Sequence, residues 1–289
     1  MQVLISIFRV SVAGALAGAL TVLTLTLWPD LIRRGEENLV RVRLAVYDAQ
    51  RLLYAKLGWP LPGTPDLGRL DERLAEKGVA RGAPVFIRIF KRERELELWM
   101  KSGDRFVLFA SYPVCRYSGG LGPKLREGDR QAPEGFYTVG RSQLNPNSSY
   151  RRSFNLGYPN LYDAANGRTG SFLMVHGACL SVGCYAMTDP VIDEIWDLVT
   201  AALDGRQKRF SVHIFPFRMT ETQFAVHSSD QWDGFWRDLK RGYDLFEASL
   251  TPPQIGVCAK AYVARSGAPG SLGDLALAER CDREASQRP

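Results

Sequence analysis

One stretch of this chain gathers residue types able to do covalent chemistry. Phe172 to Val175 is apolar, and it is followed by His176, Gly177, Ala178, Cys179, Leu180, Ser181, Val182, Gly183 and Cys184. A thiolate attacks an acyl carbonyl far better than a thiol, and a paired histidine generates it near neutral pH. The pattern therefore offers Cys184 as nucleophile and His176 as general base. Gly183 removes a side chain beside the nucleophile, which permits a tight turn and close approach of substrate. Backbone N–H groups around Gly183 and Cys184 are candidates for an oxyanion hole. Ser181 is a candidate to orient His176. Two other chemistries compete for the same residues. One is a zinc site of His176, Cys179, Cys184 and His213, whose Cys-x4-Cys interval lies at the upper end of ligand spacing. The other is a redox pair of Cys179 and Cys184. Nucleophilic catalysis is the preferred reading.

Such a site needs elements to hold it. Phe172 to Val175 reads as a buried strand that delivers His176 at its end. Val85 to Phe90 is rich in β-formers. Leu96 to Met100 and Arg105 to Phe109 flank the turn residues Lys101 to Asp104, which predicts consecutive hairpins. Gly135 to Val139 and Phe210 to Phe215 are further strands, the latter with His213 in its interior. The segment from Gly119 to Arg152 is otherwise loop-rich. A helix begins at Asp189-Pro190, read as an N-cap followed by proline in the first turn. Another follows Ser228 to Asp230, with Trp232, Phe235, Trp236, Leu239, Tyr243 and Phe246 as its packing stripe. Glu36 to Leu57 reads as a helical stalk, ended by the Pro/Gly-rich stretch Gly58 to Pro65.

The 289 residues carry a net charge of +6, a mild bias rather than the dense Lys/Arg stripe of a nucleic-acid binder. It is compatible with attraction toward an anionic polymer or membrane surface. Val10 to Trp28 contains no charged residue, and about 20 apolar helical residues span a bilayer core. The small-x-small pairs Ala13/Ala15 and Ala17/Ala19 lie inside that run rather than after it, which favours an uncleaved anchor over a cleaved signal. Five cysteines in an exported chain leave one thiol over. If that thiol is Cys184, the other four allow three pairings. The preferred set is Cys115 with Cys179 and Cys258 with Cys281.

The His176 to Cys184 block resembles the catalytic motif of the L,D-transpeptidases of YkuD type, in which a histidine precedes a Ser-His-Gly-Cys block. Gly122 to Lys124, Glu127 to Asp129 and Ala132 to Tyr137 resemble the family's approach to a strand upstream. The likeness covers roughly residues 84 to 220. Val182 stands where the family carries histidine, and Ala186 where it carries arginine two residues after the cysteine. These departures, with Val212 to Met219, are similar to the YafK-like branch, associated with hydrolysis that detaches protein from peptidoglycan. The resemblance implies a mainly β (α+β) fold, a YkuD-like antiparallel β-sandwich with flanking helices. It implies a substrate of peptidoglycan stem peptide, attacked at the L-centre carbonyl of meso-diaminopimelate, with no cofactor and no metal. Arg218, Lys124 and Tyr185 are the substrate-binding candidates, the two cations for a carboxylate; ordinary ion pairing is the competing role for both.

The expected organisation is a membrane anchor or signal at 1–30, a stalk or linker at 31–80, a catalytic domain at 81–250 and a partly flexible extension at 251–289. The expected place is the periplasm, tethered to the inner membrane by the N-terminal segment, with a peptidoglycan-linked outer-membrane protein or lipoprotein as a further partner and no nucleic acid. Transpeptidation is the alternative activity, and a non-catalytic wall-binding protein the alternative of another class.

Overall fold

A computed structural model of the chain describes residues 46–227, 230–268, 270–279 and 281. The expected membrane segment and the start of the expected stalk helix lie outside these residues. Among the described residues no helix is long and apolar enough to cross a membrane. Contacts divide the chain into residues 1–50 and 51–289. Of the first unit, 46–50 are described and helical.

The second unit opens with a helical stretch at 51–56 and helix α1 (Leu70–Glu76). Strands β1 (Val85–Phe90), β2 (Glu95–Ser102), β3 (Arg105–Pro113) and β4 (Arg116–Tyr117) follow. Then come β5 (Gly135–Gly140), β6 (Leu144–Asn145), β7 (Ser153–Asn155), helix α2 (Leu161–Ala165), β8 (Met174–His176) and β9 (Tyr185–Ala186). Helix α3 (Asp189–Asp204), β10 (Arg209–Phe215), α4 (Glu221–Val226), α5 (Asp233–Ser249) and the hairpin β11 (Gln254–Cys258) and β12 (Ala261–Arg265) complete the elements used below.

The strands form a central sheet in the order β3-β2-β1-β10-β5 and an outer sheet in the order β4-β9-β8-β7-β6. The expectation of an antiparallel fold holds for most pairs, but β1 runs parallel to β10 and β8 parallel to β9. The chain between β1 and β10 is long, which allows it to re-enter in the same direction; β8 and β9 are joined by residues 177–184 alone. The fold is thus mixed α+β. Alternation along β1 shows how the layers are made. Val85, Ile87 and Ile89 enter a core shared with Phe154, Val175 and Tyr185 of the outer sheet and Ile192, Ile195 and Val199 of α3. Phe86 and Phe90 turn the other way, toward Phe246 and Tyr243 of α5. The aromatic stripe of α5 is packing, as expected.

Residues 51–80, expected as stalk and linker, belong with this unit. Leu74 is buried in the main core, and Arg73 is ion-paired with Glu194 of α3. The segment after 250, expected as an extension, supplies the β11–β12 hairpin. Its Tyr262 is stacked on Tyr162 of α2.

Candidate active site

The reacting groups sit on the outer sheet, and its register decides which of them meet. Val175 pairs with Tyr185 and His176 with Ala186, in parallel. Successive side chains of a strand face opposite ways. Val175 and Tyr185 therefore enter the core, while Met174, His176, Cys184 and Ala186 share the outer face. Cys184 is the diagonal neighbour of His176 on the adjacent strand, a separation of roughly 7–8 Å between backbones that long side chains bridge. One observation checks this placement: the Met174 N–H donates to Cys184 Sγ at 3.4 Å.

His176 is 3% exposed. Its Nδ1 lies 2.7 Å from the Gly177 carbonyl, an acceptor, so the ring proton sits on Nδ1 and Nε2 keeps its lone pair. The ring of Tyr150 covers it at 5.0 Å. Burial holds the imidazole below its ordinary pKa, opposed by the Gly177 carbonyl. Burial raises the Cys184 thiol, opposed by the Met174 N–H and the charge of Lys124. Both groups are thus neutral at rest. The thiol's contacts are with Met174 N–H and the Phe172 carbonyl, at 3.6 Å, rather than a hydrogen bond to the imidazole. Catalytic hydrogen bonds are often loose before substrate arrives. This arrangement suits proton transfer during attack, not a preformed thiolate–imidazolium pair.

The turn between base and nucleophile is held by side chains. Gly177 is crowded: a Cβ there would meet Asp189 Oδ1 at 2.6 Å and Arg151 Cβ at 2.8 Å. Asp189, expected as the N-cap of α3, is its first helical residue, and Thr188 occupies the cap position. The Asp189 carboxylate instead accepts the Ala178 N–H at 2.7 Å, because Ala178 and Cys179 turn left-handed and expose their backbone. Ser181 does not orient His176. Its hydroxyl donates to the Cys184 carbonyl at 2.7 Å and accepts the Gly183 N–H at 3.2 Å. That second contact occupies one of the expected oxyanion donors, so Gly183 N–H serves an oxyanion only when it opens.

The cysteines divide as preferred: Cys115 with Cys179 and Cys258 with Cys281, leaving Cys184 free. This removes Cys179 from the zinc and redox readings. His213 is removed by topology. It lies on β10, buried between the rings of Phe86 and Phe136, on the side of the central sheet away from the outer sheet. Burial pushes its pKa down to about 3.

The three substrate-binding candidates fare differently. Lys124 lies close enough to act on Cys184, but it is buried and bonded to Asp129 and the Arg126 carbonyl. Arg218 is not at the site: it pairs with Glu95 and Glu97 and stacks over Phe90. Tyr185 follows the nucleophile in sequence but points into the core, where its hydroxyl donates to the Pro133 carbonyl at 2.7 Å. Adjacency along a strand places neighbours on opposite faces.

Sequence reading missed the anchor of the 119–134 segment. Lys91 and Glu134 form a fully buried ion pair at 3.0 Å. Lys91 also donates to the carbonyls of Gly122 and Ala132, and Glu134 accepts from Gly122 N–H and Trp236 Nε1–H. Every charge is matched, as a buried pair requires. The one signal in the sequence was a lysine directly after the β-rich run Val85–Phe90.

A mixed sheet that ends one strand on a histidine, with a free cysteine just before its parallel neighbour, has the groups that cysteine acyl transfer needs. Residues 84–214 match the family model described as the YkuD L,D-transpeptidase catalytic domain. The chain is 50% identical over 182 residues to YafK of Escherichia coli (strain K12), whose name carries the L,D-transpeptidase assignment; the match covers 63% of this chain and 74% of the relative. This chain belongs to the L,D-transpeptidase family, enzymes acting on peptidoglycan peptides. Among solved structures, the helical cell shape determining protein Pgp2 of Campylobacter jejuni aligns over 66% of this chain and 80% of its own, at 18% identity and a TM-score of 0.38. Bd1075 of Bdellovibrio bacteriovorus aligns over 56% and 60%, at 19% identity and a TM-score of 0.34.

Proposed function

We propose that this enzyme hydrolyses the link between peptidoglycan and an attached protein. Cys184 attacks the L-centre carbonyl of meso-diaminopimelate as His176 takes the thiol proton. The tetrahedral intermediate collapses to a thioester, and the leaving amine departs with that proton. Water, deprotonated by His176, then releases the acid and returns the thiol.

The observation that carries hydrolysis over cross-linking is the surface around the sulfur. Phe172 and Val182, on either side of Cys184, are 73% and 76% exposed and apolar. Arg151, a cation of the neighbouring loop, is held by both oxygens of Asp193, and Lys124 by Asp129. Apart from Arg116, little remains to hold a second, charged acceptor peptide, whereas water needs only access and a base. The uncharged run Val10 to Trp28 supports a periplasmic enzyme tethered to the inner membrane, and a lipoprotein attached to the wall as the released partner. The test is a partition measurement. A donor muropeptide is supplied with and without excess acceptor amine, and hydrolysed and cross-linked products are quantified by mass spectrometry. Hydrolysed product should dominate in both; mainly cross-linked product at moderate acceptor concentration would replace this reading with transpeptidation.

A further inference from the structure

Strand β4 is two residues long and lies at the edge of the outer sheet, next to the strand that follows the nucleophile. Its register is antiparallel to β9: Arg116 opposes Ala186, and Tyr117 opposes Tyr185. Directly opposed residues share a face. Tyr117 and Tyr185 confirm the sense of the pleat, with rings 6.0 Å apart on the inner face. Ser118, one residue on, brings its hydroxyl within 3.5 Å of Ser181 in the nucleophile turn. Arg116 is therefore on the outer face. A row runs across the sheet there: Arg116, Ala186, His176, Ser153. Cys184 is the diagonal neighbour of His176 on one side and of Arg116 on the other. In that row Ala186 stands between Arg116 and His176.

Arg116 is half-buried, yet among the described residues its side chain makes no ion pair and no hydrogen bond. Other arginines withdrawn from water have partners: Arg73, Arg88, Arg152, Arg168 and Arg218 each face a carboxylate, Arg51 donates to the Val114 carbonyl, and Arg209 donates to Thr138 Oγ1. A guanidinium withdrawn from water without a partner is costly, and the cost is recovered when an anion arrives.

We propose that Arg116 binds a carboxylate of the acyl donor beside Cys184, a specificity-determining contact for the reaction. It rests on the reading of the donor as a stem peptide, which carries free carboxylates. A guanidinium grips a carboxylate with two parallel N–H···O bonds and so fixes the donor's orientation as well as its position. In sequence this cation is 68 residues from Cys184; the register returns it to the side of Ala186, where the family pattern has an arginine along the chain.

The test begins with reagents that need no peptidoglycan. Iodoacetate is an anion and iodoacetamide its neutral counterpart, and both alkylate the thiolate, so their rate ratio at Cys184 cancels the thiol's ionisation. In the full chain, Arg116→Gln should lower the iodoacetate/iodoacetamide ratio about 10-fold, the lower range for a lost charge-assisted contact. Arg116→Lys should retain part of it, and raised salt should lower the wild-type ratio. An unchanged ratio in an Arg116→Gln protein with a wild-type far-UV CD spectrum overturns the proposal, and so does a wild-type ratio indifferent to salt, which requires no variant to fold. With a muropeptide donor, Arg116→Gln should raise KM about 10-fold with kcat little changed. Amidating the donor's carboxylates should give the wild type the same defect. A ratio that responds in a protein that processes no muropeptide upholds the anion site and sinks the peptidoglycan reading. Muropeptides processed at wild-type KM by Arg116→Gln sink the anion site and leave that reading standing.

Discussion

The central sheet is made of strands six to nine residues long, the outer sheet of strands of two or three. Each holds a histidine, and the two could hardly differ more. His213 is clamped by Phe86 and Phe136, and its Nδ1 has no hydrogen-bond partner among the described residues. His176 ends its strand, with a carbonyl on one ring nitrogen and the other available. In the central sheet the ladder and the apolar layers on both faces fix every side chain. In the outer sheet the ladders are too short for that. Position comes from Ser181, Asp189, Gly177 and the Cys115–Cys179 disulfide, and the backbone enters left-handed conformations at Phe172, Ala178 and Cys179. Such conformations cost free energy and persist only where the surroundings enforce them. The long sheet provides stability, and the short one holds groups in reactive places.

The contrast can be broken in several ways. Cys184→Ala should abolish turnover of muropeptides with an unchanged far-UV CD spectrum, since the sulfur is a reactant rather than a strut; wild-type turnover would remove the nucleophile assignment. In the oxidised wild type, peptide mapping should find iodoacetamide on Cys184 alone. His176→Ala should lower kcat at least ~100-fold, the lower range for a positioned general base. His213→Ala should leave kcat nearly unchanged but destabilise the fold by about 2–4 kcal/mol, as a buried ring leaves a cavity. Steady-state kinetics and urea denaturation on both variants would expose a reversal. Ser181→Ala removes two hydrogen bonds that shape the nucleophile turn, and a rate loss of about 10-fold is expected, with KM little altered.

The smallest effects are those of pH. His176 acts unprotonated, and burial lowers its pKa, so the acid limb of kcat/KM should fall below the ordinary histidine range near 6.5. His213 gives the opposite sheet its own signature. Its folded pKa of about 3 lies below the unfolded value near 6.5, so the unfolded chain takes up the proton first. Its neutral burial contributes fully above pH 6.5, and stability declines as pH falls from there toward 3. Urea midpoints should follow that slope in the wild type, and the slope should be reduced in His213→Phe.

The elements were largely legible in the sequence. Val85–Phe90 and the hairpin around Lys101 to Asp104 follow from β-branched and aromatic residues bounded by turn residues. The α5 stripe follows from 3.6-residue spacing. His176, Gly183 and Cys184 were legible because acyl transfer with a thiol demands those types within a short span. The cations were not. Lys124 and Arg218 are equivalent in sequence, yet one lies by the sulfur and the other is bonded to Glu95 and Glu97.

By itself, then, the sequence determined what is local: strand and helix periodicities, the candidate nucleophile and base, and an odd thiol among five cysteines. Only tertiary structure decided which neighbours those groups have. Tyr185 adjoins the nucleophile along the chain and is turned into the core by the pleat. Arg116 is far away along the chain and is carried to the reacting face by the pairing of β4 with β9. The reason is that a strand's side chains alternate at a fixed period while its partner and register are set by long-range packing. Distance along the chain therefore fixes the face a residue shares with its own strand, and says nothing of what stands opposite.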